Sequence, residues 1–299
     1  MSSPTENLPS VWRPSAPCTP EQCVADRVPS VGTLRRTIRL VAGIGVLTGG
    51  TTLIPVVRRL PSTLRDRLIR TWCRAIVAAF GLRRRTTDAR GAPAEGGVLV
   101  VANHVSWLDI PLVAAVLPGR MVAKSEIASY PVLGRVASAG GGTFFVERDR
   151  LRALPVKVDE MAAALRSGST VVVFPEGCTW CGKQHGRFRN AAFQAAIDAR
   201  VPVQPVRIEY RLDGHGPTTV PAFVGQDTLA ASLLRVVAAR GLTAEVTLLD
   251  PIPASTHDDR SALARAARAA VVPPMPPGRH DLPAGAGHTC QESVRPIPS

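Results

Sequence analysis

An α/β fold, with a central mixed sheet covered by helices and preceded by an N-terminal membrane-associated helical segment, is what this 299-residue sequence predicts. Three observations carry that expectation. Short strand-like runs alternate with helical periodicity across roughly residues 98–270, the pattern of a sheet with helices packed on it. Some of those runs are continuously apolar, as strands buried on both faces are. Upstream, Leu40 to Val57 carries no charged residue and is flanked by arginines.

The elements follow in order. Residues 1–30 are Pro-rich and lack helical or strand periodicity, so they are expected to form a disordered leader. Residues 31–85 make the membrane-associated helical segment. Within it, Leu40 to Val57 is borderline for spanning, which takes ~20 apolar residues. Arginines stand on both flanks, at 35, 36, 39, 58 and 59, so they set no orientation. Leu64 to Leu82 places Leu64, Leu68, Ile69, Trp72, Ile76 and Phe80 at helical spacing among arginines. A basic amphipathic helix of this kind suits an anionic lipid surface. The same spacing also describes an ordinary helix packed on a core.

The main domain is expected over residues 86–271. Its strands are Val98–Ala102, Thr143–Val146, Thr170–Phe174, Val203–Ile208 and Ala244–Leu249. Its helices are Leu154–Leu165 (stopped at Gly168), Ala191–Ala199, Thr228–Ala239 and Arg260–Ala270. A second Pro-rich, disordered stretch is expected over 272–299, and no internal repeat is present.

The strand ends carry the chemistry. Val98–Ala102 runs into Asn103-His104, and Asp109 follows five positions after the histidine. Open α/β sheets bind ligands at the carboxyl ends of their strands. A histidine oriented by a carboxylate is a general-base pair. On one continuous helix, side chains five apart diverge by roughly 140°. The pair therefore converges only if His104 lies in the loop and Asp109 near the start of the next helix. The plain alternative is an N-cap at Asp109 with Pro111 in the first turn, beside an ordinary loop histidine.

Further tips line up with this one. Gly140-Gly141-Gly142 precedes Thr143–Val146, which ends in Glu147-Arg148-Asp149-Arg150. Thr170–Phe174 runs into Pro175-Glu176-Gly177, where proline stops the ladder and glycine permits a turn with positive φ. Glu176 would then stand beside His104 if the two strands are parallel neighbours.

Together these motifs resemble the glycerolipid acyltransferase family, the lysophosphatidic acid acyltransferases and their relatives. The family's Asn-His-x4-Asp motif is matched at Asn103, His104 and Asp109. Its second motif is matched at Gly142, Phe144, Phe145, Val146 and Arg148. Its Phe-Pro-Glu-Gly motif is matched at Phe174, Pro175, Glu176 and Gly177, and its proline-spaced apolar run at Val201, Pro202, Val203, Pro205 and Val206. The resemblance implies transfer of a fatty acyl group from acyl-CoA or acyl-ACP to the free hydroxyl of lysophosphatidic acid, giving phosphatidic acid. It implies catalytic roles for His104 and Asp109, and substrate-binding roles for Gly142, Arg148, Phe174, Pro175, Glu176 and Gly177. Arg148 and Glu176 are the residues it places on the acceptor head. It implies no cofactor beyond the acyl donor and no metal. The implied location is the cytoplasmic membrane, with the site on the cytoplasmic side.

One departure bears on the acceptor. After Gly177 the family often reads Thr-Arg-Ser, with the arginine on the acceptor phosphate, whereas this chain reads Cys178-Thr179-Trp180. That departure, and the later Phe223–Asp227 stretch, look like the branch that includes lyso-ornithine lipid acyltransferases. Lyso-ornithine lipid or another lysophospholipid is therefore the alternative acceptor. Arg187 and Arg189 are the nearby residues able to replace the missing charge.

The net charge of +13, with 4% aromatic content, raises nucleic acid as a competing partner. The sequence shows no helix-turn-helix, zinc finger or base-stacking platform, so the charge fits membrane and coenzyme phosphates better. No nucleic-acid partner is expected. Six cysteines form no secreted disulfide framework: Cys18, Cys23 and Cys290 lie in the Pro-rich ends, and Cys73 in the amphipathic helix. Cys178-x-x-Cys181 with His185 offers three metal ligands or a redox pair, but no companion pair follows at zinc-ribbon spacing.

Overall fold

The structure, a computed structural model, describes residues 15–24, 28–90, 96–129, 142–147, 151–257, 259–272 and 288–289. Its centre is one twisted sheet. The main strands are β1 (Arg83–Asp88), β2 (Val98–Ala102), β3 (Arg120–Lys124), β4 (Phe144–Val146), β5 (Thr170–Val173), β6 (Val203–Leu212) and β7 (Leu242–Leu248). They lie in the order β1-β7-β6-β2-β5-β3-β4. Every neighbouring pair on that path is parallel except β6 with β7. The sheet is therefore mixed, and the carboxyl ends of β2, β3, β4 and β5 share one edge.

β2 explains why the sheet has two covered faces. All five of its residues are buried, and alternate side chains enter different cores. Val98, Val100 and Ala102 meet Phe80, Leu112, Val206, Ile208 and Val236. Leu99 and Val101 meet Met161, Leu165, Phe193, Val203 and Leu263 on the other side. A two-residue period in a continuously apolar strand gives this result only when both faces are covered.

The helices covering the sheet are α4 (Asp109–Ala114), α5 (Leu154–Arg166), α6 (Ala191–Ala199), α7 (Leu229–Ala238) and α8 (Arg260–Val271). α5 buries Val158, Met161, Ala162 and Leu165, an apolar stripe at helical spacing. α7 and α8 begin at side-chain caps, Thr228 accepting from the Ala231 N–H and Asp259 from those of Ser261 and Ala262.

Two longer helices precede the sheet, α2 (Thr33–Val57) and α3 (Ser62–Ala79). They pack closely because α2 presents glycines to aromatic rings. A Cβ on Gly50 would lie 2.0 Å from the Trp72 indole, and one on Gly43 would lie 2.1 Å from the Phe80 ring. The Trp72 indole N–H donates to the Val46 carbonyl at 2.9 Å, and Arg39 reaches the carbonyls of Val237 and Ala239. The opposite side of α2 is bare: Leu34 is 76% exposed and Val41 64%. With 25 residues, α2 is long and apolar enough to cross a membrane. In α3, Cys73, Ile76 and Val77 pack inward while Leu64 and Leu68 stay exposed, so the core-packing alternative holds for one of its faces.

The structure differs from the sequence expectations in four places. β1 and β3 were not foreseen: β1 is an arginine-rich, mostly exposed edge strand, and β3 is half-buried along its length. β1 also runs across the expected boundary at residue 85. β6 continues four residues beyond Ile208, with Glu209 and Arg211 pointing outward and Tyr210 and Leu212 buried. Part of the leader is ordered: Pro20–Cys23 forms a short helix (α1) capped by Thr19, and Cys18, Cys23 and Val24 are buried against the first core. Ser15 and Ala16 pair antiparallel with Thr289 and His288.

Candidate active site

β2 and β5 are parallel neighbours with Val101 opposite Val173, so the next residues run level as the chains leave the sheet. Three positions on, His104 stands beside Glu176, and the His104 backbone N–H donates to Glu176 Oε2 at 2.7 Å. Asn103 fastens the other side of β2. Its amide donates to the Ile208 carbonyl at 2.9 Å and accepts the Ile208 N–H at 2.8 Å, extending the pairing with β6. The histidine is thus delivered by a backbone held on both flanks.

Asp109 is the first residue of α4, and its side chain turns back toward the loop. His104 Nδ1 lies 2.9 Å from Asp109 Oδ2. The same oxygen accepts the N–H groups of Val105 at 2.6 Å and Ser106 at 2.8 Å. These donors precede the helix, so Asp109 does not cap α4; it closes the loop onto the imidazole. The Asp109 side chain has no exposure, while that of His104 keeps 19%. With a carboxylate at Nδ1, that nitrogen carries the hydrogen and donates it, which leaves Nε2 as the ring's acceptor nitrogen.

Tyr210 completes the arrangement, and the sequence reading missed it. Its hydroxyl donates to Asp109 Oδ1 at 2.6 Å from the buried extension of β6. Burial, together with the Asp109 charge, pushes the Tyr210 hydroxyl well above the ordinary phenol value, so it stays a donor. The sequence did carry one signal: Tyr210 continues the Val206–Ile208 alternation by one step, onto the same face.

The Phe-Pro-Glu-Gly segment supports this centre from beside it. The Phe174 ring stacks on the His104 imidazole, with centroids 4.3 Å apart and planes 23° apart. The Pro175 carbonyl accepts the Arg189 N–H, and Gly177, at φ 77°, closes a turn onto the Phe174 carbonyl. Glu176 is buried, and its second oxygen accepts the Gly186 N–H at 2.9 Å. Both carboxylate oxygens therefore hold backbone of this protein. His185 Nδ1 lies 3.5 Å from Oε1 of the same carboxylate.

Gly142 stands at the start of β4, where its carbonyl accepts from Arg120 Nε at 2.9 Å. β4 is the edge strand next to β3. Arg148 lies outside the described residues, as do Gly140, Gly141, Asp149 and Arg150. Arg187 and Arg189 are exposed on the loop leading to α6. The Phe223–Asp227 stretch roofs the histidine loop. The Phe223 N–H donates to the Val105 carbonyl at 2.9 Å, and the Thr179 hydroxyl bonds the Phe223 carbonyl. Arg235 anchors that stretch through Asp227 and the carbonyls of Val220 and Ala222. A separate cavity of about 1070 Å³ opens near the start of α2, lined by Arg35, Arg39, Arg83 and Arg240. His104 and Asp109 are not in its lining, so that pair lies elsewhere.

An oriented, accessible imidazole at a sheet edge can take a proton from a hydroxyl or amine. The chain has relatives with matching chemistry in their names. A family model described as Acyltransferase matches residues 83–209. The chain is 35% identical over 242 residues to a lyso-ornithine lipid O-acyltransferase from Pseudomonas aeruginosa, a match covering 80% of this chain and 91% of that protein. It is 36% identical over 200 residues to a 1-acyl-sn-glycerol-3-phosphate acyltransferase from Neisseria meningitidis, covering 67% of this chain and 77% of that one. Its fold is similar to that of the 1-acyl-sn-glycerophosphate acyltransferase PlsC from Thermotoga maritima. The TM-score is 0.59 at 20% identity, covering 79% of this chain and 90% of the solved one.

Proposed function

The chain belongs to the acyltransferase family, and on that footing we propose that it moves a fatty acyl group from acyl-CoA or acyl-ACP to the free hydroxyl of lysophosphatidic acid at a membrane surface. The observation that carries this reading is the 2.9 Å contact between His104 Nδ1 and Asp109 Oδ2, with the imidazole still accessible. A thioester is already activated, so the protein needs no nucleophile of its own. His104 Nε2 takes the acceptor's hydroxyl proton as that oxygen attacks the thioester carbonyl. The carbon–sulfur bond then breaks, and the proton passes to the departing thiolate. Asp109 holds the imidazole in one tautomer and stabilises its cationic form, while Tyr210 and two backbone N–H groups hold Asp109. A positioned general base typically contributes ~10²–10⁴ in rate. Orientation of the two substrates and stabilisation of the oxyanion supply the remainder.

Acceptor contact comes from the neighbouring edge. Arg148 follows the carboxyl end of β4 in sequence, and an arginine fork suits a phosphate. Glu176 acts there through the backbone of His104 and Gly186 as well as through any acceptor group that reaches it. A specific observation favours a second acceptor, lyso-ornithine lipid. The residues after Gly177 are Cys178-Thr179-Trp180, and the Pseudomonas aeruginosa relative of that name aligns over 91% of its length.

The bare apolar side of α2 and the arginines of α3 support attachment to an anionic membrane surface. The purified chain, given labelled palmitoyl thioester on CoA or ACP and a panel of lysolipids, should acylate lysophosphatidic acid, with the product identified by mass. Acylation of lyso-ornithine lipid alone would select the second reading. Transfer to neither overturns both.

A further inference from the structure

Cys178 and Cys181 are both free thiols, and the cluster that Cys181 joins does not include Cys178. Cys181 instead meets two cysteines from the leader: the sulfurs of Cys18, Cys23 and Cys181 all lie within 4.8 Å of one another. Two of the side chains come from the leader and the third from the loop after β5, and all three are almost closed to solvent, with exposures of 1%, 9% and 2%. We propose that Cys18, Cys23 and Cys181 form a thiolate site for zinc, which clips the leader to the loop beside His104.

A lone buried cysteine is usually a small hydrophobe. This cluster differs because three sulfurs from two separated segments converge within 4.8 Å of one another inside the protein. Zinc–sulfur bonds of ~2.3 Å in a tetrahedron put sulfurs about 3.8 Å apart, inside the observed limit. A disulfide would join only two of the three and leave the third buried beside it. A soft, redox-inert cation serves all three, and sulfur ligands favour zinc. Binding displaces the thiol protons to solvent.

The placement has a consequence for the site. Cys181 follows Trp180, whose N–H donates to the His104 carbonyl at 2.7 Å. It also precedes Gly186, whose N–H holds Glu176. A metal at Cys181 therefore fixes the loop that steadies the histidine backbone, and it ties down Pro20–Cys23 as well.

The test is elemental analysis of the full chain, purified in detergent under reductant with zinc present and then dialysed. One zinc per chain is expected. Cobalt substitution should give thiolate-to-metal charge-transfer absorption. Cys18→Ser, Cys23→Ser and Cys181→Ser should each lose the metal, while Cys178→Ser and Cys73→Ser keep it. If the first three variants fail to fold, the wild-type stoichiometry, the cobalt spectrum and the two control variants still decide. The proposal is overturned by wild-type protein with no zinc above the dialysate. A disulfide among the three found by mass after alkylation, or metal lost only in Cys178→Ser, overturns it equally.

Discussion

Tyr210 donates its hydroxyl to Asp109 Oδ1 at 2.6 Å, on the one carboxylate oxygen that His104 does not use. Asp109 is thereby held from two directions, by the loop before α4 and by the end of β6. The histidine is steadied by a carboxylate that cannot rotate away.

Tyr210→Phe removes that hold and keeps the ring. A hydrogen bond to a charged group is worth ~1.5–3 kcal/mol, and about 1.4 kcal/mol corresponds to a factor of ten in rate. Turnover should fall roughly tenfold or more with KM little changed, measured by steady-state acyl transfer. An unchanged kcat would show that Tyr210 is only core filling.

Glu176→Gln replaces an oxygen that accepts an N–H with an amide that offers one. Either the His104 or the Gly186 N–H then faces a donor inside the protein. A buried group left unsatisfied costs ~1–3 kcal/mol. The melting temperature should drop together with kcat. A variant impaired only in KM would place Glu176 on the acceptor and not on the loop.

Arg235→Ala strands Asp227, whose side chain is 4% exposed, and frees the carbonyls of Val220 and Ala222. Removing one partner of a fully buried pair costs about 3–5 kcal/mol, and with Arg235 a quarter exposed the cost here falls toward the low end of that range. Thermal unfolding should show a large downward shift. Because Phe223 roofs the histidine loop, activity should be lost at a lower temperature as well.

Val41→Asp with Leu53→Asp puts two carboxylates on the bare side of α2 without touching the glycine face on α3. An aspartate at a membrane helix centre adds roughly 2.5–3.5 kcal/mol. Sedimentation with vesicles containing anionic lipid should shift the protein from pellet to supernatant. Unchanged pelleting would mean that α2 does not meet lipid.

Much of this architecture was legible in the residues. β2 could be read because an unbroken apolar run must be covered on both faces, and α6 because alanine-rich periodicity between Asn190 and the Val201-Pro202 turn leaves little freedom. The His104–Asp109 meeting was legible only as a condition: the spacing forbids it on one continuous helix and allows it when the helix begins at Asp109, as it does. β1 stayed hidden because an edge strand pairs through its backbone, and Arg83 to Asp88 show no apolar alternation. Tyr210 stayed hidden because Glu209 and Arg211 resemble the end of a strand, although they only mark its outward face. The cysteine cluster was illegible for a related reason. Cys18 and Cys23 sit in a Pro-rich stretch with no periodicity, and only the fold brings them to Cys181.

The most direct measurement is the acyl-transfer rate of His104→Ala, taken with labelled thioester and the acceptor that the wild-type protein uses. The rate should fall by ~10²–10⁴ while the melting temperature stays close to that of the wild type. Transfer at the wild-type rate would show that some other group takes the acceptor's proton, and the account of this site would fail.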